Sequence, residues 1–596
     1  MLDVRIYRTA FVPVLVAVVV VAFSLGERPR PIGTTLAPDA FDGRRALAAL
    51  EHLEQAFPSR RPGSLGDDQL ANEVADLLRG PDDAAAVPFT VSEQLVEGVQ
   101  TIDGETALAT VVAERAGRER RRILVVAERD AAADGSAGRL SATAALVELA
   151  RVFQGRATRR TLTFVSTSGG SGGLAGVREL ARSLDGPVDA AIVLGDVGSR
   201  AEVDLPVVVP WSEHGGMAPL RLRRTVEQAV ELETDVDPGA PRALAQLARQ
   251  AVPLTLSGQG PLGAEGISAV TLSVSGERGP PAGAEVTRGR LEAFGRAALR
   301  SISALDNGPD VPAGPREYLV VQRRVLPAWG VQLLGATLLF PLLIAAVDGV
   351  ARVRRRGSHV APWLRWLLAG AFPFLLAGFF ARLLGVADVL PAPPGPVDPD
   401  ALPVDAAGLA AVALALVLGF LLRPVVARLL RARRAREAAE DPGGATAAIA
   451  LALSALGLAV WIVNPYTALL LLPAMHLWIL AAAPEVRVPR GGALALVLLG
   501  LVPFVLVGLY YVEQFGLDPI ETAWEGVLLL AGGYAGPLGI VAWSFVLACG
   551  LLAASAAARK RRRHAPPEEQ PPVTTRGPLG YAGPGSLGGT ESALRR

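Results

Sequence analysis

The sequence predicts two structural classes in one chain. The first is an α/β extracytoplasmic domain with a central mixed, mostly parallel sheet and flanking helices. The second is an α-helical multispan membrane domain, which brings the total to about eight transmembrane helices. Three observations predict this. The stretch Arg122–Arg178 reads RILVVAERD, then AAADGSAGRLSATAALVELARVF, then RRTLTFVSTSGGSGGLAGVR, which is strand–loop–helix twice over. Strand and helix signals go on alternating until residue 305. From residue 326 apolar blocks follow one another, each near the roughly 20 residues that a bilayer core requires.

Taken in order, residues 1–8 form a cytoplasmic N-terminus and 9–25 (TAFVPVLVAVVVVAFSL) a signal anchor. No small-x-small cleavage site follows it, and Arg5 and Arg8 precede it, which keeps that end inside. The folded domain spans 41–305. Asp42 caps a helix to Glu54, and Asp67 or Asp68 caps a second, which Gly80 ends. Phe89–Gln94 and Thr106–Ala113 read as strands. Ile123–Ala127 is apolar and β-branched throughout, so it is a buried central strand. The helix Ser141–Phe153, the strand Thr161–Val165, the helix Leu174–Leu184 and the strand Ala190–Leu194 follow. The alternation closes with Val207–Trp211, Thr225–Glu233, Pro241–Gln250, Ala269–Ser273 and Arg290–Leu305.

The membrane domain, 326–557, reads as seven spans: 326–348, 362–385, 406–427, 445–463, 465–483, 491–512 and 536–557. Basic loops (351–359, 431–441, 485–492, 559–564) alternate with acidic or neutral ones (391–405, 513–526), as a chain with both termini in the cytoplasm requires. This predicts a multi-pass plasma-membrane protein. Arg323 and Arg324 fall on the outer side, where they are expected to pack on the soluble domain. Ala523–Leu530 reads as an interfacial or re-entrant stretch. The tail, 558–596, is basic and then disordered.

Net charge is +1, which excludes nucleic-acid binding by bulk charge. The single cysteine, Cys549, excludes an intrachain disulfide and any Cys-based zinc finger. One polar side chain stands deep in a span: His476, a candidate for lining a cavity or meeting a lipid headgroup, or else for a hydrogen bond between helices.

The soluble domain resembles the zinc-dependent aminopeptidases with co-catalytic metals, the family of glutamate carboxypeptidases and the transferrin-receptor ectodomain. Six segments carry the resemblance in order: RRPGSLGDDQLANEVADLL, ILVVAERDA, SATAALVELARVF, RRTLTFVSTSGGSGGLAGVREL, AIVLGDVGS and GISAVTLS. The family's two metals need His and carboxylate ligands and a general base. Its first His falls on Glu128, and Asp130 keeps the Asp of His-x-Asp. The bridging Asp falls on Gly138, next to Arg139. The Glu-Glu pair falls on Gly170 and Ser171. Asp196 keeps the terminal Asp, and the last His falls within Gly258–Pro261. The domain holds only His52 and His214, and no carboxylate lies between Glu148 and Glu179. The resemblance therefore implies the frame of a hydrolase without its machinery: no catalytic residue, and no cofactor.

Glu128, Asp130 and Asp196 remain as a vestigial metal site, able to take Ca²⁺ or Mg²⁺, or else solvated or paired with Arg129 or Arg139. Ser166, Thr167, Ser168 and Ser171 lack the base a serine nucleophile needs. The layout is also similar to the GAA-type subunit of GPI transamidase. The arginine-rich composition and the lack of an Asn-x-Ser/Thr sequon in the external domain fit a bacterial chain. The expectation is a pseudo-peptidase, a binding or scaffold subunit that meets membrane lipid and protein partners. The alternatives are an active zinc aminopeptidase with relocated ligands, or a lipid-handling or transport protein with a soluble lid.

Overall fold

The computed structural model describes residues 4–80, 89–134, 136–200, 202–203, 206–239, 241–357, 359–433, 442–484, 486 and 488–559. Most of the expected basic loop 431–441, and the tail from residue 560, lie outside these residues.

The chain begins with helix α1 (Val4–Phe23) and a short strand, β1 (Gly26–Glu27). Helices α2 (Gly43–Ala56) and α3 (Leu65–Arg79) follow. Asp42 caps α2 by accepting from the amides of Arg44 and Arg45. The cap of α3 is Ser64, not Asp67 or Asp68. Asp67 is unavailable because it is fully buried against the Arg129 guanidinium, 2.8 Å away. Gly80, at φ 70°, ends α3 as its sequence position predicts.

Strands β2 (Thr90–Thr101) and β3 (Gly104–Arg115) form one long antiparallel hairpin, longer at both strands than the apolar pattern implies. A bulge between Val96 and Val99 breaks the alternation there, so the longer strands leave no regular apolar pattern to read. Then come β4 (Glu119–Glu128), α4 (Ala137–Phe153), β5 (Arg160–Thr167), α5 (Ala175–Ser183) and β6 (Val188–Leu194). The domain closes with β7 (Val208–Val209), α6 (Leu220–Glu233), α7 (Ala243–Ala251), α8 (Gln259–Ala264), β8 (Ala269–Leu272) and α9 (Arg288–Asn307). The strand order is β2-β3-β5-β4-β6-β8-β7. The inner four strands run parallel, and the outer pairs are antiparallel.

The central strand shows why the sheet forms. Successive side chains of β4 point to opposite faces. Ile123, Val125 and Ala127 enter the core under α2, α3, α4 and α9. Leu124 and Val126 enter the core under α5 and α8. An uninterrupted apolar run is what a strand covered on both faces requires. Because the inner strands are parallel, their C-terminal ends converge on one edge, and the loops there form a cleft.

A second, three-stranded sheet joins the halves. In it β1 pairs with β10 (Arg324–Pro327), which pairs with β9 (Tyr318–Val321). Arg324 lies 3.6 Å from Glu27, so this basic residue is held at the neck beside the exit of α1. Beyond it run α10 (Ala328–Arg355), α11 (Ala361–Val386), α12 (Ala406–Leu429), α13 (Pro442–Val463), α14 (Pro465–Ala482) and α15 (Arg490–Phe515). The short α16 (Pro519–Ala531) and the final α17 (Pro537–Ala558) complete the chain. Among the described residues eight helices are long and apolar enough to cross a membrane: α1, α10–α15 and α17. At 13 residues α16 is too short to span. It starts four residues before the stretch expected there, because Asp518 and Glu521 close a capping box around Pro519.

Helix contacts in this half depend on small residues. Trp478 of α14 wedges against Gly500 of α15 and Gly550 of α17. A Cβ at either glycine would lie within 3.0 Å of the indole. The two halves meet where α7 ends. The carbonyls of a helix C-terminus lack partners within the helix. Here the membrane half supplies them: Asn464 donates to Gln250 O at 2.7 Å, Thr467 to Ala251 O at 2.6 Å, and the Tyr511 hydroxyl to Val252 O.

Candidate functional site

The cleft at the strand ends encloses a small cavity of about 60 Å³, bordered by Glu128, Asp130, Asp196, Ser273, Arg139 and Asp398. The first three are the residues that the sequence marks as a vestigial metal site. Asp130 and Asp196 are each turned to their own local partners.

Asp130 is buried and accepts from the amides of Gly170 (2.8 Å) and Ser171 (3.0 Å) and from the Ser171 hydroxyl (2.7 Å). Asp196 is buried and accepts from the amides of Gly198 (3.1 Å) and Ser199 (2.9 Å) and from the Ser199 hydroxyl. Neither carboxylate is solvated, and neither is paired with Arg129. That arginine points away, to Asp67 and to the carbonyls of Ser166 (3.2 Å) and Ala109 (2.7 Å).

Glu128 has the most unusual position. Its carboxyl lies between two glycines. A Cβ at Gly170 would stand 2.1 Å from its Oε2, and one at Gly258 would stand 3.1 Å from its Oε1. Part of the side chain reaches the surface, but Oε1 is shut from water and has no hydrogen-bond partner among the described residues. Burial and the neighbouring Asp130 charge push its pKa up to about 8, against the pull of Arg139. Glu128 thus occupies the space that a side chain at Gly170 would need. Gly138 is closed in the same way, since a Cβ there would lie 2.7 Å from Pro280.

The donor set does not fit the paired zinc ions that the family resemblance implies. Among the described residues no group of three or more His, Cys, Asp or Glu is placed to hold a metal ion. His214 is exposed, and His52 faces Glu73 at 3.0 Å. The Ser168 hydroxyl goes to Asp67 and that of Ser171 to Asp130, so neither is set against an imidazole. Chemically, the arrangement offers buried acceptors and charged groups for binding.

Two features escape sequence reading. Arg139 reaches Asp398, at 2.5 Å, in the loop between α11 and α12. Arg178 forms a two-pronged pair with Glu213 at 2.6 and 2.7 Å. Burial raises the Glu213 pKa, and Arg178 opposes that. Neither contact has a local motif. The acids of 391–405 are legible only as a topology signal.

In the membrane half, His476 lies between helices. One ring nitrogen meets the Tyr7 hydroxyl of α1 at 3.3 Å, and the other meets Leu338 O of α10 at 3.2 Å.

The fit between Glu128 and Gly170 makes a quantitative prediction. Gly170→Ala is expected to cost about 1–3 kcal/mol through overpacking. Glu128→Ala in the same chain should cancel most of that cost, a coupling readable from thermal melts of the two single variants and the double variant.

No protein-family model and no curated protein matches the chain. Solved structures do. A Porphyromonas gingivalis glutaminyl cyclase is 17% identical with a TM-score of 0.34, covering 44% of this chain and 98% of its own. A leucine aminopeptidase precursor from Bacteroides thetaiotaomicron is 14% identical with a TM-score of 0.34, covering 44% of this chain and 97% of its own. A Fimbriiglobus ruber glutaminyl cyclase is 15% identical with a TM-score of 0.35, covering 46% of this chain and 99% of its own. At this level the likeness says nothing of activity.

Proposed function

We propose that this chain is a multi-pass plasma-membrane protein whose peptidase-like domain stands outside the cell and binds without cleaving. Both termini lie in the cytoplasm in this reading. One observation carries it: the cleft that would hold metals is closed from within, by Glu128 between Gly170 and Gly258 and by Asp398 on Arg139. Hydrolysis at neutral pH needs an activated water or nucleophile and a base. The carboxylates here are tied to amides, hydroxyls and arginines or pressed against glycine backbone. A cleft with buried acceptors and a seam to the membrane half suits recognition. The layout likeness to the GAA-type transamidase subunit makes a membrane complex the setting we propose, with the domain as its binding or scaffold part.

Metal content and turnover of the full chain in detergent test this reading. Zinc well below one equivalent, with no cleavage of aminoacyl substrates and no cyclisation of N-terminal glutamine, is the expected result. Near-stoichiometric zinc with a cleavage activity that Asp196→Ala abolishes would sink it in favour of an active aminopeptidase.

A further inference from the structure

Asp398 belongs to the membrane half, yet its carboxylate borders the strand-end cleft, and the residue is only 8% exposed. Arg139 donates to its Oδ2 at 2.5 Å, and Nε of Arg278 lies 3.5 Å from its Oδ1. The two arginines come from different elements. Arg139 is in the first turn of α4, and Arg278 is in the loop between β8 and α9. We propose that Arg139 and Arg278 form a carboxylate-binding site, that Asp398 is its tethered occupant, and that a carboxylate ligand entering the cleft displaces it. The inference deepens the binding reading above and rests on it.

The charge balance of the cleft supports an anion at this point. Four other carboxyl groups border the cavity and would repel one if they were free. Asp130 and Asp196 are each held by two amides and a hydroxyl. Glu277 is paired with Arg249 at 2.6 Å. Glu128 is pressed between glycines, where burial favours its neutral form. The cations at the mouth are therefore Arg139 and Arg278. Arg278 also holds Asp400 at 3.0 Å and meets Gly516 O at 3.4 Å. Of the other residues bordering the cavity, Glu128 and Ser273 each have an oxygen, Oε1 and Oγ, that is shut from water and has no partner among the described residues.

The loop that carries Asp398 is packed at Pro393, Gly395, Pro396 and Val397, so what a ligand has to displace is the Asp398 carboxylate and its immediate turn. Its sequence, PAPPGPVDPD, forms neither helix nor strand over 391–400. Besides the ion pairs, Val397 and Ala401 touch Ile102 in a minor apolar cluster, and the Val397 amide meets Glu525 at 3.2 Å. A tethered group of this kind competes with free ligand at an effective concentration in the millimolar range. Removing Asp398 should therefore strengthen the binding of a free carboxylate, whereas a purely structural Asp398 would leave that binding unchanged or weaken it.

The test uses the full chain in detergent micelles with succinate as probe. By calorimetry Asp398→Asn is expected to bind succinate on the order of tenfold tighter than the unaltered chain. Arg139→Gln added to that variant should abolish the binding. Inorganic phosphate, run in parallel, separates a carboxylate site from a general anion site. A second arm leaves Asp398 in place. Ala401→Cys puts a thiol under the loop, and the native Cys549 is buried in α17. Succinate should speed maleimide labelling of the introduced thiol. Unchanged or weaker succinate binding in Asp398→Asn, labelling that ignores succinate, or phosphate binding as tight as succinate would each overturn the proposal. None of these results bears on the non-hydrolytic reading, which only turnover can sink.

Discussion

Arg249→Ala is expected to cost about 3–5 kcal/mol of stability, the usual penalty for leaving a buried charge without its partner. Arg249 is buried at the end of α7 and pairs with Glu277 at 2.6 Å. Its Nε donates to the Tyr510 hydroxyl at 2.9 Å. The guanidinium carbon lies 5.1–5.5 Å from the ring centres of Trp211, Tyr510, Tyr511 and Phe515. Desolvated contacts of a cation with an aromatic face contribute about 2 kcal/mol or more. Three of those rings belong to α15, so the loss falls on the seam between the halves. The measurement is thermal unfolding in detergent together with limited proteolysis. The variant should melt earlier, and new cuts should appear near the seam. Glu277→Gln in the same chain should recover part of the loss by removing the stranded charge. Arg249→Lys should remain well below the unaltered chain, because an ammonium cannot bond Glu277 and Tyr510 with the same fork. A melt unchanged by Arg249→Ala would show that the aromatic cage is not an anchor.

Glu128→Gln is expected to change stability in the opposite direction. In the unfolded chain this acid has its ordinary pKa near 4.5, and in the folded chain burial holds it at about 8. The folded state therefore keeps a proton that the unfolded state has released across that interval. Stability falls as pH rises from 4.5 to 8 and is flat beyond it. The slope is roughly 1.4 kcal/mol for each pH unit, so the full penalty is about 5 kcal/mol at most. Partial exposure of the side chain lowers the expected figure to about 2–4 kcal/mol. Glu128→Gln removes the titration and should stabilise the protein by that amount at pH 8, with little effect at pH 4.5. Melts of both proteins across this range check the claim. Parallel pH profiles would show that Glu128 titrates normally.

Both predictions concern side chains whose partners lie far away in the chain, and that marks the limit of reading by sequence. The strand Ile123–Ala127 was legible because a run covered on both faces must be apolar throughout. The spans were legible because a bilayer sets both length and composition. The short helix Gln259–Ala264 was not, since QGPLGA carries glycine and proline where helix signals should be. The cap of α3 is not legible in the sequence, because Ser64 and Asp67 both suit a helix start, and only the buried Arg129 shows which of them is already engaged.

The sequence alone determined the alternation of the main sheet strands with their flanking helices, the eight apolar helices, and the absence of a side chain at Gly138 and Gly170 where the family resemblance calls for ligands. These properties are local or compositional, and each is written in a few neighbouring residues. Tertiary structure alone decided what fills the cleft. It swung the Glu128 carboxyl into the space beside Gly170, turned Asp130 and Asp196 to nearby amides and hydroxyls, and carried Asp398 to an arginine 259 residues earlier. The physical reason is that a charged side chain in a low-dielectric site takes whichever partner the packed backbone brings within about 3 Å. No local pattern encodes that distance.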